Sequence, residues 1–266
     1  MKINNKKLFI SIIAFLIIVD FLVGLDLNLF YIRAIIAFLF IIIVPGLLIM
    51  LIMRIREVGF WEYLVYTVGL SVAFIMFAGL AVNWILPWLH ITDRPLALWP
   101  ILICFNIFLL IMGFFAYRIN KDLSFEIKPL QLDTTNRIFF IIPMFFPVLS
   151  VLGSILLNNS NQPFLSILLL ILITIYILLV FLFRKRIDTN LFTFSLIMIS
   201  IGLLFSWSMR SEYIAGIDID IETKIAEITK SAGFWSITNF YHAYNTMIST
   251  TILPTIFSLF QDINIV

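Results

Sequence analysis

Polar positions are scarce along this chain and arrive in bunches. Between them run seven apolar stretches: about Leu8 to Leu25, Ile35 to Met53, Tyr63 to Leu86, Leu96 to Tyr117, Ile138 to Leu157, Phe164 to Phe183 and Leu191 to Met209. Each is close to the roughly 20 residues that a helix needs to cross about 30 Å of hydrocarbon. Backbone N–H and C=O groups find no water there, so the pattern predicts an α-helix for every run. The first run follows Lys2, Lys6 and Lys7 as a signal peptide would. It is longer than an h-region and lacks a small-residue cleavage site, which predicts a retained anchor. Pro45-Gly46, Pro143 and Pro147 fall inside runs. Neighbouring helices can satisfy the backbone groups that proline frees, so these residues predict kinks rather than loops.

Composition narrows the class further. Of 266 residues, 62% are hydrophobic and 12% charged, against roughly 25% charged in a soluble domain. The mean hydropathy is +1.13. A water-soluble globule is excluded, as are disorder, which needs high charge, and a disulfide scaffold, since Cys104 is the only cysteine. The chain reads as all-α: a polytopic membrane helical bundle of about seven transmembrane helices plus an external helical loop, with the lipid bilayer as its first partner. A net charge of +2 supplies no basic face for nucleic acid, and no such partner is expected.

Lys and Arg side chains set the expected orientation, because positive charge resists translocation. Twelve fall on the side that carries the N-terminus and five on the other: Arg33, Arg94, Arg210, Lys224 and Lys230. The expectation is a cell-membrane protein with a cytoplasmic N-terminus and an external segment after Met209. Residues 1–209 then form the transmembrane region and residues 210–266 an external acidic loop.

That loop holds what chemistry the sequence offers. Asp218, Asp220 and Glu222 place three carboxylates in five positions. In a strand all three would share a face; in a helix Asp218 and Glu222 would still meet at i and i+4. Ile217, Ile221, Ile225 and Ile228 continue a helical stripe with Gly233 following as a C-terminal stop, which predicts an amphipathic helix on the outer leaflet. Close carboxylates repel or recruit a divalent cation such as Mg²⁺ or Mn²⁺. An ionised Asp can also take a proton from an acceptor hydroxyl. The same pattern is equally that of a solvated polar face. Downstream, Trp235, Tyr244 and Asn245 join other aromatic residues that can stack on sugar rings or anchor at the interface. Residues 246–260 suit an interfacial or re-entrant piece. Asp20 is the one acid inside a strong span, near its outer end, where reaching the interface accounts for it. Asn83 and Asn106 suggest interhelical hydrogen bonds.

The stretch from Met209-Arg210-Ser211-Glu212-Tyr213 through Gly216, Asp218 and Glu222, then Gly233-Phe234-Trp235, Tyr244-Asn245 and Thr251-Ile252-Leu253-Pro254 resembles a family of uncharacterised archaeal multi-pass membrane proteins. Their layout looks like the N-terminal part of GT-C-type glycosyltransferases. Val44-Pro45-Gly46, Glu62 and Gly69-Leu70-Ser71 are similar to the N-terminal helical region of the same family. The resemblance implies a polyprenyl-phosphate sugar donor and Asp218 as general base or metal ligand. Glu222 would be its catalytic partner and Asp220 a second metal ligand. It further implies Arg210 at the lipid phosphate and Trp235, Tyr244 and Asn245 around the substrate. A GT-C core continues for many helices beyond this loop, so the resemblance also implies a truncated or split product, or a complementary membrane subunit. The alternative is a non-catalytic integral membrane scaffold or subunit.

Overall fold

A computed structural model of the chain describes residues 2–55, 58–121, 124–126, 133–209 and 217–265. Its seven long helices follow the apolar runs: α1 (Asn5–Gly24), α2 (Ile32–Ile52), α3 (Phe60–Trp88), α4 (Leu98–Ile119), α5 (Thr134–Ser160), α6 (Phe164–Phe183) and α7 (Thr189–Ser208). All seven are long and apolar enough to cross a membrane. Their outer faces carry bare apolar side chains, among them Ile17 and Phe21 on α1, Ile107 and Ile111 on α4, and Ile171 and Leu178 on α6. Such faces would drive association in water and are what a hydrocarbon solvent requires. The chain is a multi-pass membrane protein. Two further helices follow, α8 (Ile217–Ala232) and α9 (Ile252–Gln261). A three-residue antiparallel ladder, β1 (Lys2–Asn4) with β2 (Ser124–Glu126), is the strand pairing among the described residues, and no apolar pattern announced it.

Two compact units emerge. The first combines Met1–Val58, Tyr63–Lys128 and Gly216–Val266; the second combines Gly59–Glu62 and Pro129–Ala215. Helices α8 and α9 belong to the same unit as the first four helices.

In the first unit, Phe40, Ile41, Val44, Leu48, Ile75, Val82, Ile101, Phe105, Ile252, Ile256 and Phe260 share one core. Gly46 on α2 sits so close to α3 that a Cβ there would collide with the Thr67 carbonyl, and its N–H donates to Ser71 Oγ at 2.8 Å. Small residues bringing two backbones together are the usual device for helix association in lipid.

The second unit is a three-helix packing of α5, α6 and α7 around Phe139, Phe146, Leu169, Ile173, Leu191 and Ile199. Gly202 lets α7 approach the Phe146 backbone. Pro143 lacks an N–H and leaves the Phe139 carbonyl without its helical donor. The Tyr176 hydroxyl fills that vacancy at 2.8 Å from α6. The expectation that a neighbouring helix repairs the proline site is met here by one hydroxyl.

Candidate functional site

The candidate site is assembled on α8 and braced by two arginines and an asparagine. Asp218 and Asp220 lie in the first turn of α8 and Lys230 in its last, so each charge favours the end of the helix dipole it occupies. Ile225, Ala226 and Thr229 are buried, and α8 packs on α9 and on the short turn Ala243–Thr246. Gly233 ends the helix with φ +66°, its N–H reaching the Thr229 and Lys230 carbonyls. This is the predicted left-handed stop. Arg94 lies against Gly233 and donates from Nη2 to the Ser231 carbonyl at 2.8 Å, while Leu96 N–H donates to the Gly233 carbonyl at 2.8 Å.

Beyond Gly233 the chain is clipped to α3. Asn83 is fully buried, its Nδ2 donating to the Trp235 carbonyl at 2.9 Å and its Oδ1 accepting from Trp235 N–H at 2.8 Å. An amide that pairs both ways with one backbone unit leaves no buried polar atom unsatisfied. The bond anticipated for Asn83 between spans is instead made to the acidic segment. Trp235 Nε1 donates to the Asn245 carbonyl at 2.9 Å, and Asn245 Nδ2 lies 3.0 Å from the Ser236, Ile237 and Phe240 carbonyls. Trp235 and Asn245 are both buried. Their polar atoms therefore hold the segment's own backbone.

This bracing delivers Tyr244 to α8. Phe240 and His242 are extended and Tyr244 lies in the short helical turn that follows, and the three rings succeed one another in contact. Ring centroids are 6.2 Å apart for the first pair and 5.0 Å for the second. The Tyr244 hydroxyl comes near enough to Asp218 for the carboxylate to act on it as a hydrogen-bond acceptor. That hydrogen bond, followed by desolvation and the negative charges of Asp218 and Glu222, raises the tyrosine above its ordinary pKa. Asp218 is exposed and Glu222 half-buried. A helix places Asp220 about 200° around from Asp218, off the shared face. The strand arrangement, with all three acids together, does not occur. Asp218, Glu222 and Tyr244 are thus the sequence-predicted residues that converge. Arg210 lies outside the described residues.

The last helix is held by an arginine that sequence reading counted only as a loop charge. Arg33 is 2% exposed; its Nε donates to the Phe260 carbonyl at 3.0 Å and its Nη2 to the Leu259 carbonyl at 2.8 Å, while Nη1 pairs with Asp26. A cation at a helix C-terminus satisfies orphan carbonyls and opposes the dipole. Arg94 stands in the same relation to α8. Their signal in the sequence is slight: single arginines beside span ends, each able to reach a helix end that only folding brings near. Asp20 also finds an unforeseen partner, accepting from Asn106 Nδ2 at 2.9 Å on both oxygens across the α1–α4 pair.

Asp218 and Glu222 supply two hard oxygen groups from one helix face, the donor set with which Mg²⁺ combines when water and a phosphate complete its shell. Among the described residues no three His, Cys, Asp or Glu side chains gather into a fuller metal cluster. An open cleft of about 750 Å³ lies at the other end of α8, lined by Arg94, Glu227, Lys230 and Asn264 among others. Twelve helical residues separate Lys230 from Asp218, roughly 18 Å, too far for one small group to engage both. Compared with protein families, curated proteins and solved structures, the chain matches none.

Proposed function

We propose that this protein is, or forms part of, a membrane glycosyltransferase that moves a sugar from a polyprenyl phosphate to an acceptor outside the cell. In this reading the N-terminus is cytoplasmic and α8 lies at the outer surface of the cell membrane. Asp218 takes the proton from the acceptor hydroxyl or holds Mg²⁺ or Mn²⁺, Glu222 sets the local negative charge, and Tyr244 orients Asp218. A bound cation would neutralise the phosphate leaving group. The observation that carries the proposal is the meeting of Asp218, Glu222 and Tyr244 on a helix braced at its far end by Arg94 and Asn83. A fixed carboxylate with a hydrogen-bonded partner is what proton abstraction requires of a protein. A complementary membrane subunit would supply any remaining helices. The burial of Trp235 and Asn245 favours the second reading, a non-catalytic membrane scaffold, since these residues are committed to holding the fold.

Sugar transfer in membranes carrying the wild-type chain, Asp218→Asn or Glu227→Gln decides between the two. The enzyme reading expects Asp218→Asn to lose about 10²-fold or more of the transfer rate and Glu227→Gln to retain it. Equal transfer by wild type and Asp218→Asn ends the assignment.

A further inference from the structure

We infer that the groove between α1 and α4, at the end of the bundle that carries the N-terminus, binds one acyl chain of an anionic phospholipid whose phosphate pairs with Lys6 and Arg118. This site is separate from the α8 carboxylates and does not depend on the function proposed for them.

The two helices run antiparallel and are pinned at both ends of the groove. At the N-terminal end Asn5 Nδ2 donates to the Tyr117 carbonyl at 3.1 Å, and the Phe9 and Tyr117 rings meet edge to face at 5.4 Å. At the other end Asn106 holds Asp20. Between these pins the helices part to leave a cavity of about 360 Å³, walled by Ile10, Ile13, Leu16, Leu109, Leu110 and Gly113 among others, with Lys6 at its mouth. Ligand clefts fall in the range of roughly 300–1,000 Å³. From Lys6 to Leu16 the groove follows ten residues of helix, roughly 15 Å. Half of a hydrocarbon core about 30 Å thick is the same length, which is the depth one leaflet's acyl chain spans.

Gly113 lines the groove. A Cβ built there meets nothing within 4 Å, so glycine is not required by packing, and any larger side chain would project into the space. The mouth is cationic. Lys6 and Arg118 are exposed, Arg118 lies 5.1 Å over the Phe114 ring that lines the groove, and among the described residues neither is paired with a carboxylate. Two cations that pair with no carboxylate among the described residues, at the headgroup level above an apolar slot one leaflet deep, select a lipid by charge. A zwitterionic lipid carries its own compensating cation and gains less.

The test is native mass spectrometry of the full chain released from vesicles of equal phosphatidylglycerol and phosphatidylcholine, with lipids retained counted by class. Wild type is expected to retain phosphatidylglycerol preferentially. Lys6→Gln with Arg118→Gln removes the preference, roughly five-fold for each cation, while Gly113→Phe fills the slot and lowers retention of both lipids with thermal unfolding unchanged. Equal retention of the two lipids by wild type overturns the proposal, as does undiminished retention by a folded Gly113→Phe. Should Gly113→Phe fail to fold, the charge variants decide alone: a preference that survives the loss of both cations refutes the site.

Discussion

Single side chains here close positions that the backbone leaves open. Arg33 is the clearest case. Its Asp26 partner is 78% exposed at the side chain and would return to water at little cost, whereas the Leu259 and Phe260 carbonyls would lose their donor inside the bundle. Arg33→Met should therefore destabilise the chain by about 2–5 kcal/mol, from one buried and one partly buried acceptor left unsatisfied. Thermal unfolding in detergent checks this, and Asp26→Asn should cost much less in the same measurement. Tyr244 supplies a second residue-scale expectation. Its pKa lies above the ordinary tyrosine value because hydrogen bonding to Asp218 favours the protonated hydroxyl and the two acids oppose a tyrosinate. The contribution of this contact to stability is thus complete below the ordinary pKa near 10 and fades as pH rises through the higher native value. Carbon-13 NMR of labelled tyrosine should show the Tyr244 pKa fall toward the ordinary value in Asp218→Asn. An unmoved titration would mean that the hydroxyl and carboxylate do not meet in the membrane protein.

At the scale of elements, the end of α8 depends on a conformation that L side chains resist. Gly233 has φ +66° and its missing Cβ faces Arg94, where an added carbon would sit 2.9 Å from Nε. Gly233→Ala should cost about 1–2 kcal/mol from the left-handed backbone alone, and displacing Arg94 would loosen the last turn of α8. Hydrogen exchange should report faster opening of residues 229–233 in this variant while α5 to α7 keep wild-type protection. The amphipathic stripe of α8 and its glycine stop were legible from isoleucine spacing. Asn83 was legible only as a polar residue in a span: nothing nearby in the chain reveals that its partner lies 152 residues on. Residues 246–260 read as an interfacial or re-entrant piece, and the structure forms α9 from Ile252 to Gln261. That helix packs on α2, α4 and α8 and sets Ile252 and Ile256 against Gly79 of α3, so it belongs to the bundle core.

For the molecule as a whole, orientation is the property on which the proposed chemistry turns. Ser231 is exposed near the end of α8, and Cys104 is the only native cysteine. In a Cys104→Ser background, Ser231→Cys should react with an impermeant maleimide on intact cells. Protection until the bilayer is opened would place the acids on the cytoplasmic side and remove the external acceptor from reach.

The membrane class, the seven spans and the helical nature of the acidic segment followed from the chain alone, because burial in hydrocarbon forces backbone pairing within each run and hydrophobic spacing shows which face turns inward. Which polar groups meet was decided only in three dimensions. Arg33 and Phe260 are 227 residues apart, and Asn83 and Trp235 are 152 apart. A hydrogen bond depends on final distance and direction, neither of which leaves a local trace in composition or period. Asp218 and Glu222 needed only one helical turn to become neighbours; Tyr244 needed the whole brace.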